Sequence, residues 1–194
     1  MKTEEFLARY ASGERNFRDI DLFRSELSNV NLAGVSLFRA NLFRANLFRA
    51  NLIGANLYNA TLIGANLYCV NLSGANLSGA NLTRADLSGA DLSGADLSAA
   101  DLSGAILSYA NFSYADMSRA NLQKAILIDT NLSHANLSGA DLKNTQMNGV
   151  DVKETRFSLG IGLSAEMKRE LKQQGAIVED LPGEPYASRL FAAR

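Results

Sequence analysis

The chain has 194 residues, a formal net charge of −1 and a single cysteine, Cys69. That length suits one domain, and a nearly balanced charge offers no strong field to steer it to nucleic acid or to a membrane. One cysteine excludes an intramolecular disulfide and fits a reducing compartment; with no apolar leader ahead of the first periodic residues, the expected setting is the cytoplasm, without a membrane span.

The first predicted element is a helix over residues 3–11, TEEFLARYA. Thr3 reads as its N-cap and Glu4 and Glu5 occupy the first turn, where the helix dipole favours acids. Phe6, Leu7 and Tyr10 form its apolar side and Gly13 stops it. Residues 1–14 are therefore expected to act as a cap.

A strict period of five follows. From Phe17, Leu22, Leu27 and Leu32 to Met147, Val152 and Phe157, every fifth residue is large and apolar, which makes twenty-nine units and 145 residues. A helix buries a face every 3.6 residues and a strand every 2, so a period of five requires a short extended piece and a turn in each unit. A small residue such as Ala40, Ala45 or Ala50 lies two positions before each large one. Strand alternation points both inward and the intervening Asn41, Asn46 or Asn51 toward water. Gly54, Gly64, Gly74, Gly79, Gly89 and Gly94 fall in the last slot, where a tight turn favours glycine. An unbroken tandem period marks a solenoid.

The runs ANLFRANLFRANLIGANLYNA and ADLSGADLSGADLSAADLSGA resemble the pentapeptide-repeat family, whose motif is A-(D/N)-L-x-x, and the resemblance covers residues 15–159. It implies an all-β solenoid: a right-handed quadrilateral parallel β-helix with four units to a coil and about seven coils in all. The segments LARYASGERNF and GAIVED, which flank the repeats, are similar to those of cyanobacterial members.

Beyond the repeats, residues 160–181 are expected to close the solenoid. SAEMKRELKQQ over 164–174 predicts a second helix, with Ser164 as N-cap, Met167 and Leu171 on one face and Gly175 at its end. Both helices would cover open coil ends, whose unpaired backbone invites edge-to-edge growth. Gly175 to Leu181 reads as a brief extended return. Residues 182–194, with two prolines and little periodicity, read as a flexible tail.

With four units to a coil, residues twenty apart stack, and the outward slots divide the rod. In the early coils the slot after each core residue holds Phe23, Phe38, Phe43, Phe48, Ile53, Tyr58, Ile63 and Tyr68; from Ser73 to Ser118 it is almost all serine. Phe23, Phe43 and Ile63 share one side with Arg24 and Arg44. Phe38 and Tyr58 share the preceding side, where Arg39 meets Asp19, and Phe48 and Tyr68 share the following one. No acid occurs between Glu26 and Asp86, whereas Arg39, Arg44, Arg49 and Arg84 do. Such rings form a stabilising ladder. Exposed aromatics beside arginine also have the chemistry of a binding hot spot. The side holding Phe23, Arg24, Phe43, Arg44 and Ile63 is the leading candidate for partner contact, supported by Phe38, Tyr58, Phe48 and Tyr68.

The same stacking scatters other apparent sites. Asp86, Asp91, Asp96 and Asp101 belong to four consecutive units, so they diverge; Asp96 and Asp116 alone come together, within a solvated acidic belt. Asn31, Asn51, Asn71, Asn111 and Asn131 form one amide ladder, interrupted by Asp91. His134 and Cys69 occupy outward turn slots as passive groups, and Tyr109 and Tyr114 make a second, smaller aromatic site on adjacent sides. No phosphate loop, metal-ligand spacing or nucleophile–base set is present. The chain is thus expected to be no enzyme and to need no cofactor or metal. The expected function is a regulatory protein–protein interaction module, its partner a protein rather than nucleic acid, the molecule itself a monomer or a weak dimer through a coil end. The family resemblance offers an alternative, a DNA-mimicking modulator of type II topoisomerase that protects gyrase from quinolones. The Arg-rich first half and the merely local Asp belt argue against it.

Overall fold

The computed structural model describes residues 2–179; the expected tail over 182–194 and the end of the return at Leu181 lie outside the described residues. Parallel bridges join residues twenty apart, from Asn16 with Ser36 and Asp21 with Asn41 through to Asp141 with Ile161. Four units therefore complete each coil, and each coil lies in register on the next. Hydrogen bonds alternate in direction along a side: the Leu42 N–H donates to the Thr61 carbonyl at 2.8 Å, whereas the Asn41 N–H donates to Ile20 at 2.9 Å. Leu, Ala and their equivalents fill a continuous central column, almost all of it fully buried.

Each corner is a tight turn. The Ala45 N–H donates to the Leu42 carbonyl at 3.0 Å, and the second central residue, Arg44, has φ 53°, as a type II turn requires. This slot is left-handed in every unit from Asp19 to Leu159, whether or not glycine fills it. A side chain there costs roughly 1 kcal/mol, so the arginines and tyrosines in these slots are held against a local backbone preference. The Asn or Asp slot was expected simply to face water. Instead its carboxamide or carboxylate is mostly half-buried and accepts the N–H two residues on, as Asn41 Oδ1 does from Phe43 at 3.2 Å and Asp96 Oδ1 from Ser98 at 2.9 Å. It caps the turn, in the manner of an Asx turn.

Inward polar residues follow the same geometry. Thr130, Thr145 and Thr155 replace the usual alanine and donate their hydroxyls to the carbonyls of Leu107, Leu122 and Leu132 in the preceding coil. Ser25 occupies the equivalent slot of the first coil, where no coil lies beneath, and its buried Oγ has no partner.

The first helix, α1, spans Thr3–Ala11. Thr3 does not cap it: Lys2 holds the extended cap conformation, with no side-chain bond, and Thr3 is already helical. An N-cap residue must lie outside helical φ/ψ for its side chain to reach back to the first turn. Phe6 is fully buried and meets Phe17 edge-to-face at 4.7 Å, and the Tyr10 hydroxyl donates to the Ala33 carbonyl. The second helix, α2, spans Ala165–Gln173; Ser164 caps it by accepting the Met167 N–H, and Gly175 follows its C-terminus at φ 91°. Leu171 is buried, and α2 leaves a cleft of about 200 Å³ against Met147 and Val150. The return adds a rung that the sequence did not reveal. Ile177 pairs with Arg156, twenty-one rather than twenty residues on, while Ala176 and Val178 turn inward like the small and large residues of a repeat.

Candidate interaction surface

The register brings together the residues that the sequence singled out. Phe23 stacks on Phe43 with centroids 5.6 Å apart, Phe38 on Tyr58 at 5.4 Å and Phe48 on Tyr68 at 5.9 Å, all within 15° of parallel. These rings ride on successive coils, and each is anchored by a buried leucine immediately before it in the chain. The arginine in the next slot folds back over the ring: Arg24 over Phe23, Arg44 over Phe43 and Arg49 over Phe48, at 5.0–5.3 Å. Arg18 covers Phe38 at 4.7 Å from the ring centre. Arg39 reaches Asp19 at 3.2 Å. Phe23 remains 50% exposed; Tyr58, Tyr68 and Ile53 are also exposed, and Phe38, Phe43, Phe48 and Ile63 are half-buried. The result is a layer of flat rings and guanidinium planes around the first three coils. At its edge the Ser28 side chain, and next the Asn46 amide, hold the Glu26 carboxyl below the usual glutamate range.

The family model for pentapeptide repeats matches residues 45–84, 85–123 and 115–153, in eight copies. The chain belongs to the pentapeptide-repeat family. As in other members, the solenoid is a right-handed quadrilateral β-helix. Among solved structures it is similar to HetL, a pentapeptide repeat protein involved in heterocyst differentiation regulation in the cyanobacterium Nostoc sp. strain PCC 7120. The identity is 30% over 80% of this chain and 96% of that one, with a TM-score of 0.22. It is also similar to a pentapeptide repeat protein of the Arabidopsis thaliana thylakoid lumen, at 32% identity over 67% and 79% of the two chains and a TM-score of 0.31. A third is QnrB1, a plasmid-mediated fluoroquinolone resistance protein, at 17% identity over 85% and 91% and a TM-score of 0.48. No curated protein matches the chain.

The pentapeptide register separates the residues that only looked clustered. Asp86, Asp91, Asp96 and Asp101 bridge to different columns, so their carboxylates diverge. Asp96 does pair with Asp116, whose Oδ1 takes the Asn136 amide. Asp91 does not simply interrupt its ladder: it accepts from Asn111, which in turn accepts from Asn131, and as a pure acceptor it has nothing to donate to Asn71. His134 packs within its own column. Its ring lies flat on Tyr114 at 4.6 Å, and Nδ1 stands 3.2 Å from a Glu154 carboxylate oxygen. Tyr109 and Tyr114, in turn slots on adjacent sides, are 68% and 67% exposed. Among the described residues no helix is long and apolar enough to cross a membrane.

One feature escaped the sequence reading. Across all twenty-nine units only Ile106 and Ile126 place an apolar residue in the Asn/Asp slot. They are twenty apart and bridge directly to each other. Its signal in the sequence is a double departure in one column of the register.

Proposed function

We propose that this protein is a non-catalytic interaction module that docks a protein partner on the ring-and-arginine layer of its first three coils, centred on Phe23, Arg24, Phe43, Arg44 and Ile63. The observation that carries this reading is the pairing of each stacked phenylalanine with a guanidinium lying over it. Pre-stacked aromatics lose little freedom on binding, and arginine offers planar donors to carboxylates, which together describe a hot spot. The stretch from residue 27 to 85 holds four arginines and no acid, so the complementary partner surface is acidic with apolar anchors.

The test is capture of partners from the native host with wild type and with Phe43→Ser/Arg44→Glu. Both positions are solvent-facing, so circular dichroism should be unchanged while the specific partner is lost; a partner held equally by both proteins would refute the assignment. A gyrase supercoiling assay in the presence of a quinolone belongs beside it. Protection by this chain would favour the DNA-mimic reading, although its carboxylates are dispersed around four sides.

A further inference from the structure

The two isoleucines that break the capping rule lie on the side that carries Phe48 and Tyr68, but two coils further along. Ile106 is 38% exposed, and Ile126 and Ile128 are half-buried beside it. Replacing the capping residue by Ile leaves the Ser108 and Ile128 N–H groups without the side-chain acceptor that their counterparts have. These positions therefore give up a local hydrogen bond to display apolar surface, which a solvated face gains nothing from.

The edges of this side carry unlike groups. The turn slots leading onto it hold Arg84, Gly104 and Lys124, and those leading off it hold Gly89, Tyr109 and Asp129, level by level in the same three coils. Among the described residues Arg84, Lys124 and Asp129 make no ion pair. The Arg84 stem lies along Gly104, its Cγ 3.5 Å from where a Cβ would stand.

We propose that this side is a homodimer interface in which a second copy packs face to face, its rod parallel to the first and related by a two-fold axis along the rods. That operation exchanges the two edges while keeping each level. Lys124 of one copy then meets Asp129 of the other, twice. Tyr109 meets Gly104 and the Arg84 guanidinium beside it, and Ile106, Ile126 and Ile128 pack on their equivalents at the centre. The antiparallel arrangement instead sets the Arg84 and Lys124 edge against itself and is disfavoured by like charge. At the second coil Arg44 and Arg49 come level across the pair, a like-charge cost that falls on exposed side chains three coils away from the isoleucine centre. This interface shares a side with Phe48 and Tyr68 but is centred on coils five and six, so Ile126→Asn tests it without touching the docking layer proposed above.

Sedimentation equilibrium over a range of concentrations tests it. Wild type should self-associate, and Ile126→Asn, which restores the residue usual in that slot, should weaken association about tenfold or more. Lys124→Asp and Asp129→Lys should each weaken it about tenfold, and combining them should return it to near the wild-type value. A wild type that stays monomeric would overturn the proposal, including one whose Ile126→Asn variant loses a foreign protein instead. So would a dimer indifferent to Ile126, or a double reversal no better than the single ones.

Discussion

The first three coils and the coils from Ser73 to Ser118 share an apolar interior, Ser25 excepted, and differ chiefly outside. Both bury a column that is mostly Ala and Leu, close the same left-handed turns and, in most units, cap them with an Asn or Asp acceptor, Ile106 being the departure in the second region. Outside, one region stacks Phe, Tyr and Arg, and the other presents Ser, Gly and Asp. The repeat thus separates the residues that specify the fold from those free to vary. A departure in an outward slot is informative because the interior does not require it.

If the interiors are equivalent, truncating them should cost the same. Leu47→Ala beneath Phe48 and Leu97→Ala beneath Ser98 should each destabilise by about 2–5 kcal/mol and by nearly equal amounts in urea unfolding. A clearly larger loss at Leu47 would show that the aromatic layer stiffens the coil beneath it and break the equivalence. Next in size is the inward polar slot. Ser25→Ala removes a buried hydroxyl without a partner and should stabilise by about 1 kcal/mol. Thr130→Val removes a satisfied one and should destabilise by a similar amount, about 1 kcal/mol. Equal signs for the two in thermal melts would contradict the role assigned to the preceding coil's carbonyls.

A smaller contrast tests the left-handed corners. Ala99→Gly, at a corner with φ 55° outside both proposed interfaces, should raise stability by up to about 0.5 kcal/mol, the relief of the backbone less the greater freedom of glycine in the unfolded chain. Arg44→Gly should gain that relief but lose the contact with Phe43, worth about 0.5–1 kcal/mol, and so change the melting midpoint little. If both glycine variants gained equally, the arginine–ring contact would contribute nothing measurable to stability.

Most of the fold was legible because one period constrained every unit, and the resemblance to the pentapeptide-repeat family implied four units per coil. Phe17 through Phe157 fixed the core, and the twenty-residue stacking of Phe23 on Phe43 or Arg39 on Asp19 followed from four units per coil. What the sequence concealed lay where the period lapses or where side chains act across coils. The Ile177 rung comes one residue late because α2 is inserted before it. The cap at Lys2 depends on backbone dihedrals that Thr3, a good capping residue, does not adopt. The turn-capping role of Asn and Asp was hidden because alternation says only which way a side chain points, not which N–H lies within reach.

The smallest effect concerns an acid-on-amide rung common to both regions. Asn41 donates to Asp21 and Asn46 to Glu26 in the early coils, as Asn121 does to Asp101 and Asn136 to Asp116 further along. Glu26 is the longer side chain and takes the Asn46 amide on both carboxylate oxygens, at 2.7 and 2.9 Å. With the Ser28 contribution first and that of Asn46 next, its folded carboxyl titrates below the unfolded one. The stabilisation is therefore complete above the unfolded value and fades as the pH falls through the folded value. Because Glu26 is exposed, solvent screens the effect and it should be small. Glu26→Gln should melt slightly below wild type at neutral pH, and the two curves should merge once the pH is below both values. A gap that persisted in acid would mean that shape, not charge, holds this rung, and that the early coils do not depend on an ionised acceptor at their base.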